Sequence, residues 1–251
     1  MLSLLPIPLR IALLFGGMCA NVCSGLAQQG VTTFGFQVKP VFPISYFDPV
    51  VNLERPQLTG KIELTGGFAF GMSVRVGVTK AISLETGLGQ IKRRYSFSTA
   101  NDTSGYAESG EVRYIGYELP ITALVYIRLG ERSYMNTSLG LAADFYPSDV
   151  QQDIEESSIY IYRQNWAQLA VLGNIGVEYR TYKSGIFYLG ATFHRPFNTM
   201  AVADLTWFDV NPNAVVPYTM RAALNGSYLT MDLRYYFHED PERLRRKTNK
   251  K

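Results

Sequence analysis

The amino-acid sequence predicts an all-β fold: an eight-stranded antiparallel up-and-down transmembrane β-barrel, preceded by a cleaved signal peptide. Three observations predict it. Apolar and polar residues alternate with a period of two along much of the chain. Short and long connections between the alternating segments take turns without exception. After the first 27 residues, no run reaches the roughly 18 to 20 uninterrupted apolar residues of a spanning helix, so a membrane crossing has to be made by strands.

Residues 1–27 form a segment of their own, with Arg10, the apolar stretch Ile11-Ala-Leu-Leu-Phe15, and Ser24-Gly-Leu-Ala27 before Gln28. A basic start, an apolar centre and small residues at Gly25 and Ala27 are the parts of an export signal cleaved after Ala27. A lipid anchor at Cys19 or Cys23 is disfavoured, because Met18 and Val22 before them are too large for a lipidation site. Both cysteines lie in this leader, so the following 224 residues carry no disulfide framework and no thiolate chemistry. Of the formal charge of +3, the leader holds +1 and the tail 238–251 holds +3. The stretch 28–237 is therefore about −1, with no electrostatic footprint for nucleic acid. The expected domains are the signal peptide 1–27, the barrel 28–237 and a basic periplasmic tail 238–251.

The strands are expected near 33–42, 62–78, 82–97, 112–128, 134–146, 165–180, 186–195 and 226–237. The second shows the pattern best, with Ile62, Leu64, Phe68, Phe70, Met72, Val74, Val76 and Val78 all at even positions. In the fourth, Ile115 to Ile127 alternate against Gly116, Glu118, Pro120, Thr122 and Arg128, although Leu124 and Tyr126 blur the pattern. The connections near 79–81, 129–133 and 181–185 are short, whereas 43–61, 98–111, 147–164 and 196–225 are long. A meander with both termini on one side sorts its loops in this way, and a Greek-key sandwich has no reason to.

Aromatic residues gather near both strand ends, as interface girdles do. On the short-turn side are Phe34, Phe36, Tyr126, Tyr134, Tyr179, Tyr182, Phe187, Tyr235 and Phe237; on the long-loop side are Tyr95, Tyr114, Phe145, Trp166, Phe193 and Tyr228.

Opposite the apolar stripes lie Arg75, Glu85, Glu118, Arg128, Asp144, Glu178, Asp232 and Arg234. In a barrel of eight strands, which side chains just fill, these are expected to form a paired charge network in the lumen. Nothing assembles into a catalytic, metal or cofactor motif. His194 is followed by Arg195-Pro196, no Gly-x-Ser-x-Gly element occurs, and the acidic run Asp149 to Glu156 lacks calcium-loop spacing. Gly66-Gly67 and Gly87-Leu-Gly89 fall inside strands, where glycine makes room for large neighbours and for curvature. The longest loop is rich in apolar residues that have to pack on something. It is expected either to close the barrel mouth or to bind a partner through Trp207, Phe208 and Tyr218.

Three stretches resemble a known family: Ala27-Gln28-Gln29 at the leader's end, Tyr117-Glu-Leu-Pro-Ile-Thr-Ala-Leu-Val-Tyr126 with Ser138-Leu-Gly-Leu141, and the last strand Leu229-Thr-Met-Asp-Leu-Arg-Tyr-Tyr-Phe237. These are similar to the small outer-membrane β-barrels of the Bacteroidetes, a group that includes the PorT-like proteins. The resemblance implies the outer membrane of a Gram-negative bacterium, contact with its lipid and lipopolysaccharide, and assembly through a last strand read by the barrel-assembly machinery. It also implies a secretion or surface partner for some members. The expected role is a non-enzymatic structural or binding component with a filled lumen and four external loops. A narrow channel for small solutes comes second and a lipid-modifying enzyme third.

Overall fold

The structure, a computed structural model, describes residues 31–79, 81–182, 184–211 and 214–237. The leader 1–27 and the tail 238–251 lie outside the described residues. Among those described, the strands are β1 (Thr32–Phe42), β2 (Val50–Arg55), β3 (Leu58–Gly77), β4 (Ile82–Asn101), β5 (Tyr106–Arg128), β6 (Ser133–Phe145), β7 (Val150–Ile154), β8 (Ser157–Arg163), β9 (Ala167–Arg180), β10 (Ile186–Pro196), β11 (Ala201–Asn211), β12 (Ala214–Leu224) and β13 (Tyr228–Tyr236).

Eight of them close a ring in the order β1, β3, β4, β5, β6, β9, β10, β13, with each neighbouring pair antiparallel and β13 returning to β1. At the seam, Phe36 of β1 lies opposite Tyr235 of β13 on one side and Met72 of β3 on the other. These eight correspond one for one to the strands expected from alternation. A closed ring leaves no unpaired edge within a bilayer, which is the condition for spanning it with strands. No helix among the described residues is long and apolar enough to do so.

Around the ring, one face of each strand presents large apolar side chains to the outside: Phe36 and Val38, Phe70 and Met72, Leu84 and Leu88, Leu119 and Ile121, Leu139 and Leu141, Ile175 and Val177, Leu189, then Met231 and Leu233. Ile121 is 59% exposed and Leu139 68%, an exposure of apolar surface that makes sense only against hydrocarbon. Leu124 and Tyr126, which blurred the alternation in β5, are buried in the lumen and pack with Tyr134.

Above the ring the structure departs from expectation. The four long connections are not plain loops. β3, β4 and β5 continue upward as a three-stranded wall, which β2 joins by pairing with β3. The connection 147–164 folds as the β7–β8 hairpin and 196–225 as the β11–β12 hairpin. Together these hairpins make a second sheet, ordered β12-β11-β8-β7. The wall and this sheet enclose a core of Leu58, Ile62, Leu64, Tyr95, Phe97, Val112 and Tyr114 on one side, and Ile159, Ile161, Leu205, Trp207, Met220 and Leu224 on the other. Each such side chain taken out of water contributes roughly 1.5–3 kcal/mol before entropy is counted, enough in sum to hold the hairpins as a folded cap.

A β-bulge in β3 lets one strand serve both environments. Pairing with β4 slips between Leu64 and Gly66, and Gly66 takes a φ of 140°, open to glycine but rarely to other residues. Below the bulge the even positions, Phe68, Phe70 and Met72, face out; above it the even positions, Leu58, Ile62 and Leu64, face in. The even-numbered run that reads in sequence as one apolar stripe is therefore two stripes on opposite faces. Lipid surrounds the lower half and water the upper, so the apolar face must change sides. The extra residue achieves this without breaking the alternation.

Candidate functional site

The interior of the ring is filled by two tiers of charge. In the tier nearer the short turns, the Arg75 guanidinium donates through Nε and Nη2 to Glu85 Oε2, at 3.1 and 3.0 Å, and through Nη1 to Glu178 Oε2 at 2.7 Å. Arg234 donates to Glu85 Oε1 and to Asp232 Oδ2, both at 2.5 Å. Arg180 donates to Glu178 Oε1 at 2.7 Å, and the Tyr236 hydroxyl to Glu85 Oε2 at 2.6 Å. Thr192, Thr230 and Asn174 complete the shell of Asp232. Three arginines face three carboxylates, each carboxylate hydrogen-bonded, which is the condition for tolerating charge away from water.

The upper tier lies at the membrane's long-loop side. Lys39 Nζ is 3.7 Å from Glu118 Oε1, and His194 Nε2 lies 3.0 Å from Asp144 Oδ2 and 3.6 Å from Glu118 Oε2. The Tyr228 ring stacks on His194 at 4.4 Å and its hydroxyl donates to Glu118 at 2.9 Å. The Arg93 guanidinium sits 5.0 Å from the Tyr228 ring centre, a cation–π geometry. Glu118, Asp144 and His194 offer ligand atoms within 4.8 Å of one another, the spacing of a metal site. Lys39 and the Tyr228 hydroxyl already engage Glu118, and His194 engages Asp144, so the cluster fits a charge and hydrogen-bond network better than a site for an added dication.

Seven of the eight residues expected in the lumen are buried there: Arg75, Glu85, Glu118, Asp144, Glu178, Asp232 and Arg234. Arg128 is corrected. It is exposed because it is the last residue of β5, paired with Tyr134 at the rim of the ring, and its side chain bends into the 129–133 connection, where Nε donates to Gly130 O at 2.9 Å. Sequence reasoning missed Lys39, Arg93, Asn174, Arg180 and His194. Parity could have found Arg93, since it shares the odd-numbered face of β4 with Glu85.

The girdle also needs correcting. Phe34, Phe36, Tyr179, Tyr182, Phe187 and Phe237 do face outward on the short-turn side, but Tyr126 and Tyr134 point into the lumen. On the long-loop side Trp166 is exposed, whereas Tyr95, Tyr114 and Tyr228 are buried, the first two in the cap. In the longest loop, Trp207 is only 6% exposed and belongs to the cap core, Phe208 is half-buried, and Tyr218 is exposed and stacked on Trp207 at 5.8 Å. Beside them, in the part of β5 above the ring, burial and then the hydrogen bond to Glu108 push the Tyr106 phenol up to about 12.

Among the described residues, the cavity bounded by Gln37, Lys39, Glu118, Thr192, Tyr228 and Thr230 has a volume near 10 Å³, about one water molecule.

No family model and no curated protein sequence matches the chain. Among solved structures it is similar to the outer membrane protein OprG from Pseudomonas aeruginosa, with a TM-score of 0.52 and 11% identity, over 84% of this chain and 97% of that one. Lower scores relate it to the outer membrane protein AlkL in lipid bilayers, at TM-score 0.42 and 14% identity over 87% of this chain and 96% of that one. The translocator domain of the autotransporter NalP from Neisseria meningitidis gives TM-score 0.33 and 13% identity over 91% and 95%. The likeness to OprG concerns architecture, and together with the closed ring and its apolar exterior it gives the chain the fold of a small outer-membrane β-barrel.

Proposed function

We propose that the protein is a non-enzymatic component of a Gram-negative outer membrane, a sealed barrel that carries a folded external cap as a binding platform. One observation carries this reading: the lumen is occupied by two tiers of paired charge, with room for about one water beside Lys39 and Glu118. A conducting path would need those tiers to part, at the expense of buried ion pairs. Catalysis on lipid is disfavoured because His194 is wholly buried between Asp144, Glu118 and Tyr228, out of reach of a substrate in the bilayer. The stretches similar to PorT-like barrels support a place in a secretion or surface assembly, with the last strand handed to the barrel-assembly machinery.

The platform is the outer part of the cap. Val210, Val215 and Val216 are exposed at 58%, 59% and 39% around the β11–β12 turn, beside Tyr218. Such a cluster of apolar side chains in water is suited to a protein partner. The test is single-channel recording of the purified protein in planar bilayers, paired with a pull-down from native membranes. A silent bilayer and a stable co-purifying protein are expected; defined conductance steps would overturn the sealed barrel in favour of a narrow channel for small solutes.

A further inference from the structure

On the outside of the barrel wall, where β3 bulges, lies a hollow of about 340 Å³ lined by Thr65, Gly66, Gly67, Phe68, Lys92, Arg93, Arg94 and Arg113. Arg93 turns its side chain inward and belongs to the lumen. The other three cations are exposed. Lys92 and Arg94 project from the same face of β4, and Arg113 lies directly opposite Arg94 on β5. The hollow exists because Gly66 and Gly67 put no side chain across from Arg94 and Arg93.

Two like charges opposite each other on paired strands destabilise a sheet. Here a third cation stands two residues away, and the nearest acid, Glu111, is 3.8 Å from Arg94 and exposed. Lys92 and Arg113 have no carboxylate within ion-pair distance among the described residues. Immediately below, the wall is apolar: Phe68, Phe70 and Leu88 face outward, with Tyr117 beside them. Immediately above, it is polar, with Lys61 and Glu63 on β3 and Glu111 on β5. The cations therefore stand where hydrocarbon gives way to headgroups.

We propose that this hollow binds a phosphorylated glycolipid of the outer leaflet, the lipid portion of lipopolysaccharide, with its phosphates held by Lys92, Arg94 and Arg113 and its acyl chains along Phe68, Phe70 and Leu88. The inference rests on the outer-membrane reading above. A free phosphate would use the cations but not the apolar wall beneath them, and a zwitterionic phospholipid would use the wall but could not neutralise three charges. Arginine's planar fork suits a phosphate, and an anion between Arg94 and Arg113 removes their repulsion.

The test is native mass spectrometry of the purified full chain in detergent, with diphosphoryl lipid A, monophosphoryl lipid A, phosphatidylethanolamine and inorganic phosphate as separate probes. Diphosphoryl lipid A should be retained best, and excess inorganic phosphate should not displace it. Combining Lys92→Gln, Arg94→Gln and Arg113→Gln should weaken retention by about tenfold or more, from the loss of charge-assisted hydrogen bonds. Arg195→Gln, at an exposed cation on the opposite side of the ring, should change nothing. Arg113→Gln alone should raise the unfolding midpoint without lipid and lower the gain that lipid confers, which guards against a variant that merely misfolds. Equal retention by the triple variant, displacement by phosphate, or equal retention of phosphatidylethanolamine would each overturn the proposal. Fractionation of the cell is read alongside: a folded outer-membrane barrel that ignores lipid A sinks this inference alone, while lipid A binding by a protein found elsewhere sinks the location alone.

Discussion

Arg75 shows what a single lumen side chain does in this fold. It is 4% exposed and ties Glu85 on the next strand to Glu178 across the lumen. Arg75→Met should therefore leave two carboxylates short of a cation and cost about 3–5 kcal/mol, the usual penalty for breaking a buried pair. The measurement is the urea midpoint at which the fast-migrating folded band is lost. Arg128→Gln, at the exposed end of β5, should shift that midpoint by less than about 0.5 kcal/mol. Most of the lumen residues were legible because charge on the face opposite an apolar stripe has nowhere else to go. Arg93 stands between the exposed cations Lys92 and Arg94, so its charge alone does not mark it as the one that turns inward. His194 looked isolated because Asp144, Glu118 and Tyr228 reach it from distant strands.

At the scale of the strand, the bulge at Gly66 is the feature that alternation alone could not reveal. Its two halves keep the same parity, and only the change of solvent distinguishes them. Deleting Gly66 would force the lower half of β3 to slip by one residue and turn Phe68, Phe70 and Met72 into the charged lumen. No band that migrates faster unboiled than boiled should then form. Lipid-face positions have a graded test: Ile121→Arg or Leu139→Arg should cost about 2–4 kcal/mol if the position is near the midplane. Unchanged stability in both would mean that the outer belt does not meet hydrocarbon. The long connections were not legible as strands because their apolar faces point to a core that appears only when two hairpins from different parts of the chain meet the wall.

The whole molecule should behave as a barrel with a separable cap. A closed ring resists detergent, so the intact protein should be heat-modifiable on a gel. Excising residues 202–220 should leave that shift in place, since no ring strand is touched, while Ile62, Tyr95 and Tyr114 lose their cover and the binding of an apolar dye rises. Loss of the shift would show that the cap is needed for the ring to form. The seam has a consequence for the order in which the chain can become safe. β1 meets its second neighbour only when β13 arrives, nearly two hundred residues later, so every shorter intermediate carries two open edges along its full height. Contacts so far apart in sequence form slowly, and exposed edges recruit other chains. Until residues 228–236 are delivered, the growing sheet needs an escort, and a chain cut short before Tyr228 is a substrate for clearance rather than a smaller barrel.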